Sequence, residues 1–321
     1  MMINLTLKII IISLIFFYGC ADRDLFTGPN IDPGLGGSYT KISGSVSGIL
    51  RKSDSPFLVS ENLIVEANEM LTIEQGIILY FEDGVLFSIA GKIEAIGTKE
   101  FPILFTAFLN DWEGIQIDSP SGESKFDFCI VEKVFLDHDN PVKDGAVYIK
   151  NASIQFSNCV FKNNYTQFGG ALAIESANVV ITNNIFYRNE SVVYGGAILS
   201  EASSNRIINN TFYKNYCLNY GGAIVLIDPL SEEIQNNILF DNRSYLGDPR
   251  IEIVSGDSAN VIEQYNFLAF GEMDPLFVST SNFHLTENSP CKNAGNPEPE
   301  YNNSDGTRND QGAYGGPNGD W

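Results

Sequence analysis

The chain has 321 residues, 44% hydrophobic and 12% aromatic, enough apolar material for a continuous core, which excludes a disordered polymer. Its 40 acidic residues against 19 basic ones give a formal charge of −21, a field that repels phosphate backbones and anionic lipid headgroups and argues against nucleic-acid binding. Length alone would permit two average domains, but the repeats below favour one elongated body.

Residues 1–19 carry one charge, Lys8, followed by an apolar run from Ile9 to Tyr18 that ends in Gly19-Cys20. A run of about ten residues is too short to cross a ~30 Å hydrocarbon core as a helix, so the segment reads as a secretory signal. Its end resembles a bacterial lipoprotein signal, in which a small residue precedes a cysteine that is diacylated and becomes the new N-terminus. Gly19 and Cys20 fit that pattern, while Phe17 and Tyr18 stand where aliphatic and small residues are usual. The resemblance implies lipidation of Cys20 and a tether over residues 20–38 with the Gly and Pro content of a flexible linker. It also implies a body held at the bacterial cell envelope, on the outer membrane or cell surface, by its lipid. An uncleaved anchor, or secretion with Cys20 incidental, remains the alternative.

From residue 39 onward the apolar residues come in short alternating runs, such as Ile115/Ile117, Val147/Ile149 and Leu172/Ile174, which is strand period. The runs repeat. Phe168-Gly169-Gly170-Ala171-Leu172 returns 26 residues later as Tyr194-Gly195-Gly196-Ala197-Ile198 and after another 26 as Tyr220-Gly221-Gly222-Ala223-Ile224. A Phe-x-x-Asn unit alternates with it: Phe161 to Asn164, Phe186 to Asn189, Phe212 to Asn215, with Leu239 to Asn242 as a weaker fourth. Short strands at a fixed period without crossover helices predict a solenoid, in which equivalent residues stack at the strand spacing of ~4.8 Å. Cys129, Cys159, Asn184, Asn210 and Asn237 then fall in one column, and Val131, Phe161, Phe186, Phe212 and Leu239 in another. Stacked asparagines can satisfy one another's amides, and stacked phenylalanines can fill the axis. Residues 39–270 make about nine such coils, and the aperiodic segment 271–321 is expected to cap the open end.

These repeats resemble those of polymorphic outer membrane proteins, and the whole pattern is similar to right-handed parallel β-helix proteins of the pectate-lyase-like fold. Upstream, Leu71-Thr72-Ile73-Glu74-Gln75-Gly76, Ile89 to Thr98 and Pro102 to Thr106 resemble the opening coils of bacterial extracellular β-helices. Asp274-Pro275-Leu276-Phe277 and Asp305 to Tyr314 resemble their closing segment. The resemblance implies an all-β, right-handed parallel β-helix but names no activity, because this fold carries lyases, hydrolases and adhesins alike.

Catalysis on such a scaffold would resemble Ca²⁺-assisted uronate lyase chemistry or hydrolysis by paired carboxylates, set on the outward face of one sheet. The outward column there is Asp118, Lys150, Glu175, Glu201 and Ile227, of mixed sign. Beside it, the coil from Gly114 to Gly145 takes 31 residues, and its surplus holds Asp137-His138-Asp139. Asp137, His138 and Lys150 are therefore the weak catalytic candidates, with a solvated bulge as the plain alternative. Asp305 and Asp310 are weak metal candidates for Ca²⁺, with a simple turn as the alternative. Tyr187 and Tyr213, next to the inward Phe column, would face outward and offer a stacking surface to the rings of an extracellular or surface polysaccharide. Cys129 and Cys159 are rung neighbours that could form a disulfide or pack as small apolar thiols. An enzyme is expected to combine a carboxylate and Lys cluster with a cleft on the same face, whereas a glycan-binding or adhesive protein needs only an aromatic strip.

Overall fold

The computed structural model describes residues 38–136, 145–269 and 273–321. Among these residues the chain is all β, with only three short 3-10 turns. A representative coil runs through Leu172–Glu175, Asn178–Thr182, Ile185–Tyr187 and Glu190–Tyr194 before the pattern restarts at Ile198–Glu201. Each of these strands pairs in parallel with its counterpart in the next coil, giving four ladders along the rod. The second ladder, from Gly48–Leu50 to Val261–Gln264, has nine strands, matching the expected coil count. The fourth ladder has only four strands, from Tyr165–Phe168 to Arg243–Leu246, so the fully four-sided coils belong to the C-terminal part of the rod.

One residue in the left-handed region turns most corners. Between second and third ladders it is Asn158, Asn183, Asn209 and Asn236, at φ 53° to 58°, and asparagine tolerates that region better than other side chains. Between the fourth and first ladders it is the first glycine of each Gly-Gly pair. The second glycine serves another need: a Cβ on Gly196 would lie 2.1 Å from the carbonyl oxygen of Gly222 one coil on. Stacked corners touch backbone to backbone, which is why the pair recurs.

Inside, the expected phenylalanine column is a stack. Phe161 and Phe186 lie 5.1 Å apart with rings 7° from parallel, and Phe186 and Phe212 lie 4.6 Å apart at 4°. The asparagine column is a hydrogen-bonded ladder as well: each Nδ2 donates to the next Oδ1, from Asn184 to Asn210 (3.0 Å), Asn210 to Asn237 (3.1 Å) and Asn237 to Asn266 (3.0 Å). A second ladder stands at the next corner, built by the asparagines of the Phe-x-x-Asn units: Asn164, Asn189, Asn215 and Asn242, linked at 2.9, 3.0 and 2.9 Å. Cys129 and Cys159 head the first ladder as free, buried thiols, and Cys159 donates to the Ser157 carbonyl at 3.1 Å. Burial pushes the Cys129 thiol pKa up. The pair is therefore in the packed-thiol state rather than disulfide-bonded.

A carboxylate interrupts the core. Glu232 is 1% exposed on the inward column Val179, Asn205, Glu232, Val261. Its Oε1 accepts from the Ser200 hydroxyl (2.6 Å) and from Asn205 Nδ2 (2.9 Å), while Oε2 has no partner. Burial pushes its pKa up to about 7, against the lowering effect of those two hydrogen bonds. On the neighbouring inward column, Phe156, Ile181, Ile207 and Ile234 are followed at the last rung by Glu263.

The C-terminal segment departs from expectation. Instead of closing the end of the rod, residues 273–321 lie along its side, over the corner between second and third ladders. The corner asparagines hold them there. Asn183 Nδ2 donates to the carbonyls of Ala313 (2.9 Å) and Gly315 (2.8 Å), Asn209 Nδ2 donates to that of Asp310 (2.9 Å), and Asn236 Oδ1 accepts from the Asn296 amide (2.7 Å). The segment is drawn there because the third ladder is apolar on both faces: Ile78–Phe81 and Ile185–Tyr187 are buried at every position. Its outward residues form a second hydrophobic cluster with Phe283, Ala313 and Trp321 of the tail.

Candidate ligand-binding cleft

The covered face corrects one prediction directly. Tyr187 and Tyr213 do point away from the coil and stack on one another, 5.7 Å apart at 12°, but they are only 6% and 5% exposed. Phe283 packs edge-on against both, at 5.4 and 5.5 Å, so they anchor the tail and offer no surface to a sugar. In the other aromatic column Phe168 and Tyr194 are partly exposed and Tyr220 is exposed.

The predicted outward column is present in its expected register, Asp118, Lys150, Glu175, Glu201 and Ile227. Lys150 pairs with Glu175 at 3.0 Å, and the Tyr148 hydroxyl donates to the same carboxylate at 2.7 Å. The hydrogen bond and charge of Glu175 push the Lys150 pKa up, so the amine is held as an ammonium and is a poor general base near neutral pH. Burial, with Glu175 behind it, raises the Tyr148 phenol too. Because both ends of the Lys150 pair reach solvent, Lys150→Ala is expected to leave the melting transition unmoved in calorimetry. Asp137 and His138 lie outside the described residues, as does Cys20.

Asp305 and Asp310 serve turns. Asp305 Oδ1 accepts from the Thr307 amide (2.9 Å) and hydroxyl (2.6 Å), and Asp310 Oδ1 accepts from the Asn293 amide (2.6 Å). Among the described residues no group of three or more His, Cys, Asp or Glu side chains could hold a metal ion.

What sequence reasoning missed is a cleft of ≈ 670 Å³ where the tail meets the N-terminal coils. Its floor is the outward column Ile78, Leu104, Ile130 and Val160, each no more than 8% exposed. One wall is the loop Lys99 to Pro102 with Lys52, and the other is Ser281, Asn282, His284, Tyr314 and Trp321. Lys52 Nζ sits 3.6 Å over the ring of Phe101, which is 48% exposed. His284 stacks on Tyr314 at 3.6 Å, Tyr314 packs on Trp321 at 4.8 Å, and Trp321 meets Phe128 edge-on at 5.9 Å. Phe128 occupies the corner position filled by asparagine in later coils, at φ 50°, a backbone region unfavourable for a bulky residue. Such strain is kept where the placement of the side chain matters, here at the cleft wall. The available signal was the absence of alternation in Ile78-Leu79-Tyr80-Phe81 and Ile103-Leu104-Phe105, which marks a strand covered on both sides.

No curated protein and no solved structure matches the chain. The family described as right handed beta helix region matches residues 108–289, more than half of the sequence. Together with the parallel ladders, inward stacks and coil period, that match identifies the chain as a member of the right-handed β-helix family.

Proposed function

We propose that this protein is a lipid-anchored β-helix of the bacterial surface that binds glycan in the cleft without turning it over. The reading rests on one observation: the cleft joins an apolar floor to walls carrying the exposed ring of Phe101 and the partly exposed rings of Phe128 and Tyr314, with amines and an amide among its lining residues. Sugar rings present flat C–H faces to aromatic rings and hydroxyls to polar rims, so this chemistry suits them. Against catalysis stands the separation of parts. The cluster of Asp118, Lys150 and Glu175 lies on the first ladder, whereas the cleft lies on the third, so that cluster does not face the cleft. The lipid anchor and surface address come from the Gly19-Cys20 signal and its tether.

The test is retention and turnover measured together. Phe101→Ala, on an exposed ring, is expected to weaken glycan binding by about tenfold while leaving the melting temperature unchanged, as the loss of one stacking contact predicts. Purified protein incubated with acidic and neutral polysaccharides, with and without Ca²⁺, is expected to retain glycan and release no unsaturated or reducing-end product. Sustained product release that survives Phe101→Ala and is lost in Lys150→Ala would move the site to the first ladder.

A further inference from the structure

The corner between the third and fourth ladders is built differently from the others. Its column runs Lys133, Asn163, Arg188, Lys214 and Asp241, one residue beyond the paired column Glu132, Lys162, Tyr187, Tyr213 and Phe240. All five have positive φ, from 52° to 61°. Lys133, Arg188 and Lys214 are the only lysine or arginine residues with positive φ among the described residues, and all three stand on this one corner. The corner between second and third ladders shows what the turn itself favours, asparagine at Asn158, Asn183, Asn209 and Asn236. A long cationic side chain gains nothing over asparagine in such a turn, so the three positions are held for their charge.

That charge is not spent on ion pairs within the chain. Lys133 and Arg188 are exposed and Lys214 is half-buried, and among the described residues none of the three pairs with a carboxylate. Arg188 instead lies over the ring of Tyr187, 4.9 Å from its centroid, and Lys214 Nζ lies over Tyr213 at 4.8 Å. Those two rings are stacked on each other and pinned by Phe283, so the cations of neighbouring coils sit on a rigid base. Lys133, Arg188 and Lys214 occupy the first, third and fourth of consecutive rungs, which spreads them over about 14 Å parallel to the rod axis. The neighbouring charges do not cancel them. Lys162 pairs with Glu132 and Arg243 with Asp241, while Glu190, two residues beyond Arg188, has its pKa raised by burial. In a protein of net charge −21, this strip reverses the sign. Beside it, the outward column of the fourth ladder brings Phe135, Tyr165 and Tyr216, with Phe135 44% exposed and stacked on Tyr165 at 4.9 Å.

We propose that this corner is a second binding strip, separate from the cleft, and that its ligand is a linear anionic polysaccharide lying parallel to the rod. Charge complementarity calls for the anion, and the straight row of cations, spaced by whole rungs, calls for a chain of repeating anions. The rings alongside offer the apolar contact that sugars take. A chain with at most one charge per sugar also meets less repulsion from the rest of this acidic protein than the dense phosphates of a nucleic acid do. The strip goes beyond the cleft reading and does not rest on it.

The experiment is titration of the full chain with alginate, dextran sulfate of low substitution, unmodified dextran and duplex DNA. The two anionic polysaccharides are expected to bind about tenfold or more tightly than dextran or DNA. The triple variant Lys133→Asn, Arg188→Asn, Lys214→Asn places the favoured corner residue at each position. It is expected to keep the melting temperature while losing about tenfold or more in affinity for the anionic chains. Lys133→Asn alone, on an exposed side chain, is expected to weaken them by about threefold. Arg188→Lys combined with Lys214→Arg keeps both charges and is expected to bind as the parent does, and Phe101→Ala in the cleft is expected to leave this affinity unchanged. Binding of only one of the two anionic chains still supports the strip and identifies the substituent. Loss of anionic binding in Phe101→Ala but not in the triple variant would overturn the proposal and place the anion in the cleft. Dextran or duplex DNA bound as tightly as the anionic polysaccharides, or no binding by any of the four, would overturn it too; the cleft reading keeps its own test in Phe101→Ala.

Discussion

Asn210→Ala is expected to destabilise the fold by about 4 kcal/mol in urea titration, because it strands two buried donors and takes a donor from two buried acceptors at once. Asn210 is fully buried, and its Oδ1 takes both the Asn184 amide proton (2.8 Å) and Asn184 Nδ2 (3.0 Å). Its own Nδ2 reaches the Ile181 carbonyl (2.8 Å) and Asn237 Oδ1 (3.1 Å). Each stranded group in a dry core costs about 1–3 kcal/mol. In a solenoid the damage is shared by both neighbouring coils, since each is stabilised chiefly by contact with the next. Asn178 supplies the control: it is the same residue type on the adjoining strand, it is exposed, and Asn178→Ala is expected to change stability by no more than about 0.5 kcal/mol. Similar costs for the two substitutions would deny the ladder its structural role.

The second large effect depends on pH. The Glu232 carboxyl has its pKa pushed from 4.5 to about 7 in the folded chain, chiefly by burial. A raised carboxyl pKa means that the folded state holds the proton more tightly than the unfolded state does. The group therefore costs nothing below about pH 4.5, costs progressively more as pH rises through 7, and costs a constant amount above that. A shift of this size is worth about 3 kcal/mol. Glu232→Gln mimics the protonated acid, keeping an acceptor for Ser200 and Asn205. The variant is expected to match the parent in urea stability near pH 4.5 and to exceed it by about 3 kcal/mol at pH 8. A stability difference that stays flat across this range would mean that Glu232 does not titrate in the folded chain.

What could be read from the sequence followed from the period. Once equivalent residues are 25 to 27 apart, sequence offset becomes height along the rod, so the Asn184 and Phe186 columns and the outward column through Lys150 could be aligned in advance. The second asparagine ladder was visible only as a recurring Phe-x-x-Asn, because period alone does not say which face a corner residue takes. Tyr187 and Tyr213 were placed correctly as outward but misread as exposed, since burial there depends on Phe277 and Phe283, residues without a period to position them. The cleft was harder still. It joins Lys52, Lys99 and Phe128 to His284 and Trp321, and local pattern carries no information about contacts across such separations.

Because the tail runs along the side of the rod, the last coil is left with open strand edges, and these invite other chains to continue the ladder. Glu263 occupies the place that Phe156, Ile181, Ile207 and Ile234 fill below it. A further coil laid on that surface, from this chain or another, would seal a carboxylate between two apolar layers, at a desolvation cost of several kcal/mol. The rod thus ends in its own stop against fibril growth, made from one residue of the wrong polarity in the right column.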